Sequence, residues 1–237
     1  MRTLIGIPTL NENLNIKKIY KKIRNIDKKS DILFIDDNSS DGTISEIKKI
    51  KLVDSKVFLK IRPKKRGIGS AHKDIIKYSY KKKYNFLITM DADGSHDPIY
   101  IPKMRQKISS NDIIITNRFH YKNSINSWPL FRKIITYTRH YMIYYLLSIK
   151  VDTSGAYRLY KLENINLADL VKARHNGYSF FWESIFILTV KNYKIFQIPI
   201  RMKTRTYGSS KINFYEILSA ILYLFYVFFK KKFKFKS

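Results

Sequence analysis

Along the first half of the chain, short unbroken apolar runs alternate with stretches in which apolar residues recur every three or four positions. Leu4-Ile5-Gly6-Ile7, Ile32-Leu33-Phe34-Ile35, Val57-Phe58-Leu59, Phe86 to Met90 and Ile113 to Thr116 are the runs, and each predicts a strand buried on both faces. Asn13 to Ile26 carries Leu14, Ile16, Ile19, Ile23 and Ile26 at helical spacing. Thr43 to Ile50, Ser70 to Lys82 and Pro98 to Ile108 also read as helices, with Asp41 in the N-cap region of the first and proline opening the last. Such alternation predicts an α/β fold with a mostly parallel sheet covered on both faces, and such sheets bind ligands at the carboxyl ends of their strands. Polar clusters follow Ile7, Ile35, Met90 and Thr116, where those ends fall.

The second half is less regular. Leu130 to Ile149 predicts an aromatic-rich helix, Tyr157 to Tyr160 a strand, Phe181 to Lys191 a helix and Phe196 to Met202 a further strand. Ile212 to Phe229 predicts a terminal helix, followed by Lys230, Lys231, Lys232, Lys234 and Lys236. No internal repeat or Pro/Gly-rich linker separates the halves, so the break near residue 120 is a change of role.

Composition narrows the chemistry. Lys+Arg is 46 and Asp+Glu 18 in 237 residues, a formal charge of +28, while hydrophobic residues make up 45%, which suits a packed core. Without cysteine there are no disulfides, thiolate metal sites or cysteine nucleophile, so any metal falls to Asp, Glu, His or carbonyl oxygens. The charge suits nucleic acid, an anionic membrane surface or a phosphate-bearing substrate. A plainer source also exists, because AT-rich coding inflates Lys together with the abundant Ile, Asn and Tyr. The first strand begins almost at Met1 and no apolar run reaches the roughly 20 residues of a spanning helix, so neither signal peptide nor clear span is expected.

Three polar clusters carry candidate chemistry. In Met90-Asp91-Ala92-Asp93-Gly94-Ser95, two carboxylates two residues apart follow a buried strand, where a period of two points them the same way. Like charges so close need a cation between them, and Mg2+ or Mn2+ bound by one or two carboxylates and completed by substrate phosphates answers that need. The plainer alternative is a solvated turn with Gly94 at positive φ. In Asp36-Asp37-Asn38-Ser39-Ser40-Asp41-Gly42-Thr43, one carboxylate must face the open sheet edge, where a nucleobase N–H or ribose hydroxyl could donate to it; the rest reads as helix capping. In Pro8-Thr9-Leu10-Asn11-Glu12-Asn13, Glu12 could meet a base or ribose, or simply be the acidic start of a helix.

In this order, Pro-Thr-Leu-Asn-Glu, Asp-Asp-Asn-Ser-Ser-Asp-Gly-Thr, Arg66-Gly-Ile-Gly-Ser-Ala71 and Asp-Ala-Asp-Gly-Ser-His resemble glycosyltransferase family 2, in particular its dolichol-phosphate mannosyltransferase branch. The resemblance continues through Thr116-Asn117-Arg118-Phe119, Asp152-Thr-Ser-Gly-Ala-Tyr-Arg158, Gly177-Tyr-Ser-Phe180 with Glu183, and Arg205-Thr-Tyr-Gly-Ser-Ser-Lys211. It spans about residues 3–212.

The resemblance implies a Rossmann-like GT-A fold over residues 1–212, with a nucleotide-sugar and metal half (1–118) and an acceptor half (119–212), followed by an interfacial amphipathic helix and basic tail (213–237). It implies that Pro8, Glu12, Asp37 and Asp91 hold the nucleotide, and that Asp91 and Asp93 hold Mg2+ or Mn2+ with help from the Ala92 carbonyl and Ser95. Arg205 and Lys211 would reach the diphosphate, and Arg118, Arg132 and Thr136 the phosphate of a polyprenyl or dolichyl acceptor. Asp93, Arg118, Arg132, Arg205 and Lys211 thus form the expected catalytic set of an inverting transferase that favours mannose, with GDP-mannose the favoured donor and a UDP-sugar the alternative. Departures stand at Leu10, where many relatives carry Tyr, and at Gly94-Ser95, which replaces Leu-Gln.

A phosphomonoester is already largely ionised at neutral pH, with a second pKa near about 6, so such a reaction needs no strong base. Asp152 and Glu183 read more plainly as partners of arginines, and the five histidines form no metal cluster by spacing. The run from Ile217 to Phe229 is about 20 Å long as a helix, short of a bilayer core of about 30 Å. It reads as an interfacial helix on the cytoplasmic face of a membrane, the lysines meeting anionic headgroups, and leaves room for a membrane-anchoring partner protein; packing on the core is the other reading. A family-2 transferase with a glycan or other non-lipid acceptor remains an alternative. No helix-turn-helix, RNP or zinc pattern supports nucleic acid. Gly67-x-Gly69 lacks a third glycine, where His72 stands, which leaves little for a dinucleotide oxidoreductase.

Overall fold

The computed structural model describes residues 1–122, 124–126, 128–203, 205–207 and 214–234. The chain runs β1 (Thr3–Thr9), α1 (Asn13–Ile26), β2 (Asp31–Asp36), α2 (Thr43–Val53), β3 (Val57–Ile61), α3 (Ile68–Lys81), β4 (Phe86–Thr89), α4 (Ile101–Lys107) and β5 (Ile113–Asn117). It continues through α5 (Leu130–Leu147), β6 (Arg158–Lys161), α6 (Leu167–Val171), α7 (Ser179–Val190), β7 (Ile195–Pro199) and α8 (Phe214–Lys234). Short 3-10 turns flank α4 on both sides, so the helix expected from Pro98 is α-helical only from Ile101.

The described strands form one seven-stranded sheet in the order β3-β2-β1-β4-β6-β5-β7. All neighbours are parallel except β6, which runs antiparallel between β4 and β5. The sheet is therefore the mostly parallel one that the apolar runs predict. Each central strand is apolar throughout because alternate residues serve two cores. On β2, Leu33 and Ile35 join one core, with Ile75, Phe180 and Trp182, while Ile32 and Phe34 join the other, with Ile16, Ile19 and Ile47.

Two glycines at the start of α3 bring that helix against α7. Gly67 turns the chain at φ +88°, and a Cβ on Gly69 would lie 2.5 Å from Phe180 Cβ and 2.8 Å from the Gly177 carbonyl. The Arg-Gly-Ile-Gly stretch thus makes a close packing contact, and the helix starts two residues earlier than its spacing predicts. The short α6 has no counterpart in the sequence reading.

α8 is present where the terminal helix is expected. One side packs inward: Leu224 is buried, Tyr223 OH donates to Glu183 Oε1 at 2.7 Å, and the Tyr223 ring meets Trp182 and His175. The other side leaves Leu218, Leu222, Phe225, Tyr226 and Phe229 exposed. Among the described residues no helix is long and apolar enough to cross a membrane.

Candidate active site

The carboxyl ends of β1, β2, β4 and β5 converge on one cavity of about 610 Å³. Strand order reverses beside β1, where loops diverge and leave a crevice.

After β1 the chain turns through Asn11 at φ 51° and presents Glu12, only 7% exposed. The Glu12 amide donates to Thr43 Oγ1 at 2.8 Å, and Asn15 Nδ2 donates to Glu12 Oε2 at 2.7 Å, which aims the carboxylate at the cavity. Pro8 and Leu10 line the same wall. After β2 the two aspartates divide their roles. Asp36 is fully buried and accepts from Thr9 Oγ1, Ser39 N and Ser39 Oγ, each at 2.7 Å, so it braces the turn. Asp37 faces the cavity and is held by the buried Arg62, whose Nη1 also donates to Ser70 Oγ at 2.8 Å and Nη2 to the Gly67 carbonyl at 3.2 Å. Asp41 caps α2 through the Thr43 amide at 3.0 Å, with Gly42 in the N-cap position itself.

β4 ends at Thr89, so Asp91 and Asp93 lie on a turn beyond the strand, yet both face the cavity beside Ala92 and Ser95. Gly94, at φ +80°, makes that turn, and a Cβ there would meet Thr206 Oγ1 at 2.5 Å. Ser95 N and Oγ both donate to Asp93 Oδ1, at 2.9 and 2.6 Å. Burial raises the Asp93 carboxyl, but the neighbouring His96, these bonds and the Arg205 guanidinium outweigh it and hold the group below its ordinary value. Asp91 is different: Oδ1 is buried with no hydrogen-bond partner, and burial and the Asp93 charge push its carboxyl up to about 7. His96 Nδ1 accepts from the Asp91 amide at 3.0 Å, which puts the imidazole proton on Nε2.

An orphaned carboxylate oxygen beside a second carboxylate is a donor set that fits a hard divalent cation. Among the described residues no three His, Asp or Glu side chains gather as a complete ligand set. The positive charge now beside the pair is Arg205. Its Nη2 lies 3.0 Å from Asp93 Oδ2 and its Nη1 3.4 Å from Glu12 Oε1. The loop that carries it is pinned by the Thr206 amide on the Asp93 carbonyl at 3.0 Å and by Lys18 Nζ on Tyr207 OH at 2.6 Å. Lys211 lies outside the described residues.

The opposite wall is cationic, then apolar. Arg118 follows β5, and its amide and Nε donate to Asp152 Oδ2 at 3.1 and 2.9 Å. Asp152 therefore is an arginine's partner, as its plainer reading held, and Arg118 reaches the cavity with one edge already bound. Glu183 pairs with no arginine side chain in the described contacts; it accepts from the Arg174 and His175 amides at 2.8 and 3.0 Å. Arg132 and Thr136 sit one turn apart on α5 and line the cavity, with the Arg132 guanidinium 3.8 Å from the Trp128 ring centroid. Beyond them the lining turns apolar between α5 and α8, with Ile135, Met142, Ile221 and Leu224.

The sequence reading missed Arg62, Trp128 and Arg139. Arg62 sits just past a strand end, a signal available but masked by the surrounding lysines; Trp128 and Arg139 gain meaning only from α5's orientation.

The family model "Glycosyl transferase family 2" matches residues 4–166. The chain is 29% identical over 214 residues to undecaprenyl-phosphate mannosyltransferase of Micrococcus luteus, covering 90% of this chain and 88% of that protein. It is 28% identical over 223 residues to polyprenol monophosphomannose synthase of Mycolicibacterium smegmatis, covering 93% and 84%. Among solved structures, glucosyl-3-phosphoglycerate synthase from Mycobacterium tuberculosis in complex with UDP superposes with a TM-score of 0.64 at 14% identity, over 94% of this chain and 78% of that one. Its complex with Mn2+, UDP and glucosyl-3-phosphoglycerate gives 0.60 at 14% identity, over 94% and 79%. These likenesses establish the fold, the GT-A type expected from the motifs.

Proposed function

Starting from the fact that the chain belongs to glycosyltransferase family 2, we propose that it moves a hexose, with mannose favoured, from a nucleotide sugar to a polyprenyl phosphate at a membrane surface. The observation that carries this reading is the single cavity with carboxylates at one end, arginines in the middle and an apolar slot between α5 and α8 at the other. A nucleotide sugar, a phosphate and a hydrocarbon chain are the ligand parts that match that order. The relatives named for undecaprenyl phosphate and polyprenol support it.

In this reading Pro8, Glu12, Asp37 and Asp91 hold the nucleotide, with Arg62 fixing the Asp37 carboxylate. Asp91 and Asp93 would hold Mg2+ or Mn2+, the Ala92 carbonyl and Ser95 hydroxyl standing beside them. The ion, when bound, supplies positive charge for the departing diphosphate. Arg205 would leave Glu12 and Asp93 for that diphosphate, and Lys211 would join it. Arg118, Arg132 and Thr136 orient the acceptor phosphate. A phosphate oxygen forms a bond to the anomeric carbon as the bond from that carbon to the nucleoside diphosphate breaks, with inversion. The acceptor arrives ionised, so no side chain has to take a proton, and rate comes from positioning and charge stabilisation. GDP-mannose is the favoured donor.

Residues 1–212 form the transferase unit in this reading and 213–237 its membrane-facing part. The exposed apolar residues of α8 and of α5, with Leu130, Tyr141 and Tyr145 away from the cavity and Phe131 and Ile134 at its edge, suit the interfacial region of a bilayer. The lysines from Lys230 onward suit anionic headgroups, at about 1 kcal/mol per residue near the surface.

The test is transfer of labelled sugar from a panel of nucleotide sugars to polyprenyl phosphate, with and without Mg2+ or Mn2+, beside D93N. Metal-dependent label in the lipid phase, lost in the variant, is the expected result. Label that reaches a glycan or stays in water would overturn the acceptor assignment.

A further inference from the structure

Two arginines, the fully buried Arg158 and the partly buried Arg139, are treated very differently by their surroundings. Arg158, 1% exposed, is fully engaged: its guanidinium donates to the carbonyls of Gly155, Thr153 and Phe181 and to Ser184 Oγ, at 2.8, 2.9, 2.7 and 2.9 Å. It is a structural brace. Arg139 lines the cavity, but its Nε is buried without an acceptor, and no ion pair joins it to a carboxylate among the described residues. Asp152 cannot serve. Its two oxygens already accept from the Arg118 amide and Nε at 3.1 and 2.9 Å and from Ser154 N and Oγ at 3.0 and 2.8 Å.

Arg132, Thr136 and Arg139 are spaced i, i+4 and i+7, which places them along one face of α5. All three line the cavity, and Arg139 is the one nearest in sequence to Met142, which belongs to the apolar slot. Burial and the Arg118 charge, with Arg132 adding to them and the Asp152 charge only partly opposing, push the Arg139 guanidinium down to about 10, so it remains charged at neutral pH with its Nε still without an acceptor. A fork of N–H donors in that state calls for an anion with several acceptor oxygens. The adjoining apolar wall calls for hydrocarbon on the same ligand.

We propose that Arg139 binds the acceptor, its guanidinium gripping the phosphate of a prenyl phosphate at the junction between the arginine cluster and the apolar slot. The ligand class is a phosphomonoester with a hydrocarbon tail; free inorganic phosphate supplies the same anion without the tail. This rests on the prenyl-phosphate reading above and adds to it a third guanidinium, beyond Arg118 and Arg132.

The experiment measures binding of farnesyl phosphate, farnesol and inorganic phosphate to the full chain, to R139Q and to R139K, by quenching of Trp128 and Trp182, which line the cavity. A charge-assisted hydrogen-bond pair lost in R139Q weakens farnesyl phosphate about tenfold or more, leaves farnesol unchanged, and raises the acceptor KM of sugar transfer while the donor KM holds. R139K restores part of the affinity. Inorganic phosphate binds more weakly than farnesyl phosphate to the full chain and loses affinity in R139Q. Farnesyl phosphate affinity unchanged in R139Q, or farnesol weakened equally, overturns the proposal. Should R139Q not fold, R139K carries the same contrast, with farnesyl phosphate weakened and farnesol not. Lipid labelling with an unaltered acceptor KM in these variants sinks this inference and spares the transferase reading. Arg139-dependent binding without lipid labelling does the reverse, and a full chain that binds no farnesyl phosphate overturns both.

Discussion

The Arg205 guanidinium stands 3.0 Å from the Asp93 carboxylate, in the position from which a divalent cation would have to displace it. Arg205 adds to His96 and the Ser95 hydrogen bonds in holding the Asp93 carboxyl below its ordinary value, while Asp91, with one oxygen unpartnered, carries the cost of the paired charges. In the proposed reading Arg205 and the metal would compete for one carboxylate, and both would serve the diphosphate. R205Q is therefore expected to be half-activated at a lower Mn2+ concentration than the wild type and to turn over at least about tenfold more slowly. A metal titration of initial rates reads both effects. A rise in the Mn2+ requirement would remove the competition from the account.

Asp152 is buried and accepts both the amide and Nε of Arg118, so it fixes where that arginine enters the cavity. D152N keeps the shape but leaves a buried guanidinium without its counter-charge. It should cost about 3 kcal/mol in stability, read by urea unfolding, and should raise the acceptor KM more than the donor KM. Stability unchanged by the substitution would mean that Arg118 finds another partner.

Gly69 lets α3 pack tightly against α7 and the turn before it. In G69A the new Cβ would meet the Phe180 Cβ and two carbonyl oxygens, those of Gly177 and Asn176, within 3.0 Å, and backbone cannot yield as a flexible side-chain tip can. About 1–3 kcal/mol of destabilisation is expected, with a lower Tm. Wild-type Tm in G69A would show that the two helices separate without cost.

His72 is 2% exposed between Phe180 and Phe181, and its Nε2 has no partner. Burial, with the Arg158 charge, lowers its pKa from 6.5 to about 3. The unfolded chain binds a proton below about 6.5 that the folded chain refuses until about 3, so this group's share of stability is complete above 6.5 and is lost progressively as pH falls through that window. H72L removes one such proton. Its Tm should fall less steeply than wild type between pH 6.5 and 4, measured by thermal melts in matched ionic strength. Parallel pH profiles would assign the acid sensitivity to other groups.

The amino-acid sequence alone determined the strands of the first half, because short Ile, Leu and Phe runs there are bounded by turn residues and alternate with helical spacing, as a sheet buried on both faces requires. It also determined which loops meet at the cavity, since Glu12, Asp37, Asp91, Asp93 and Arg118 each follow a strand end that a parallel sheet brings to one edge. The order of the strands, and the antiparallel β6 inserted between β4 and β5, are long-range choices that local periodicity does not encode. The same holds for side-chain allegiance. Asp36 and Asp37 are neighbours of identical chemistry, and only the packing of Thr9 and Ser39 against one and Arg62 against the other decides which faces the cavity. Arg132 and Arg139 look alike among so many cations; the rotation of α5 puts both on the cavity wall, and an acceptor missing from the surroundings of Arg139 Nε, which tertiary structure alone could reveal, sets that arginine apart.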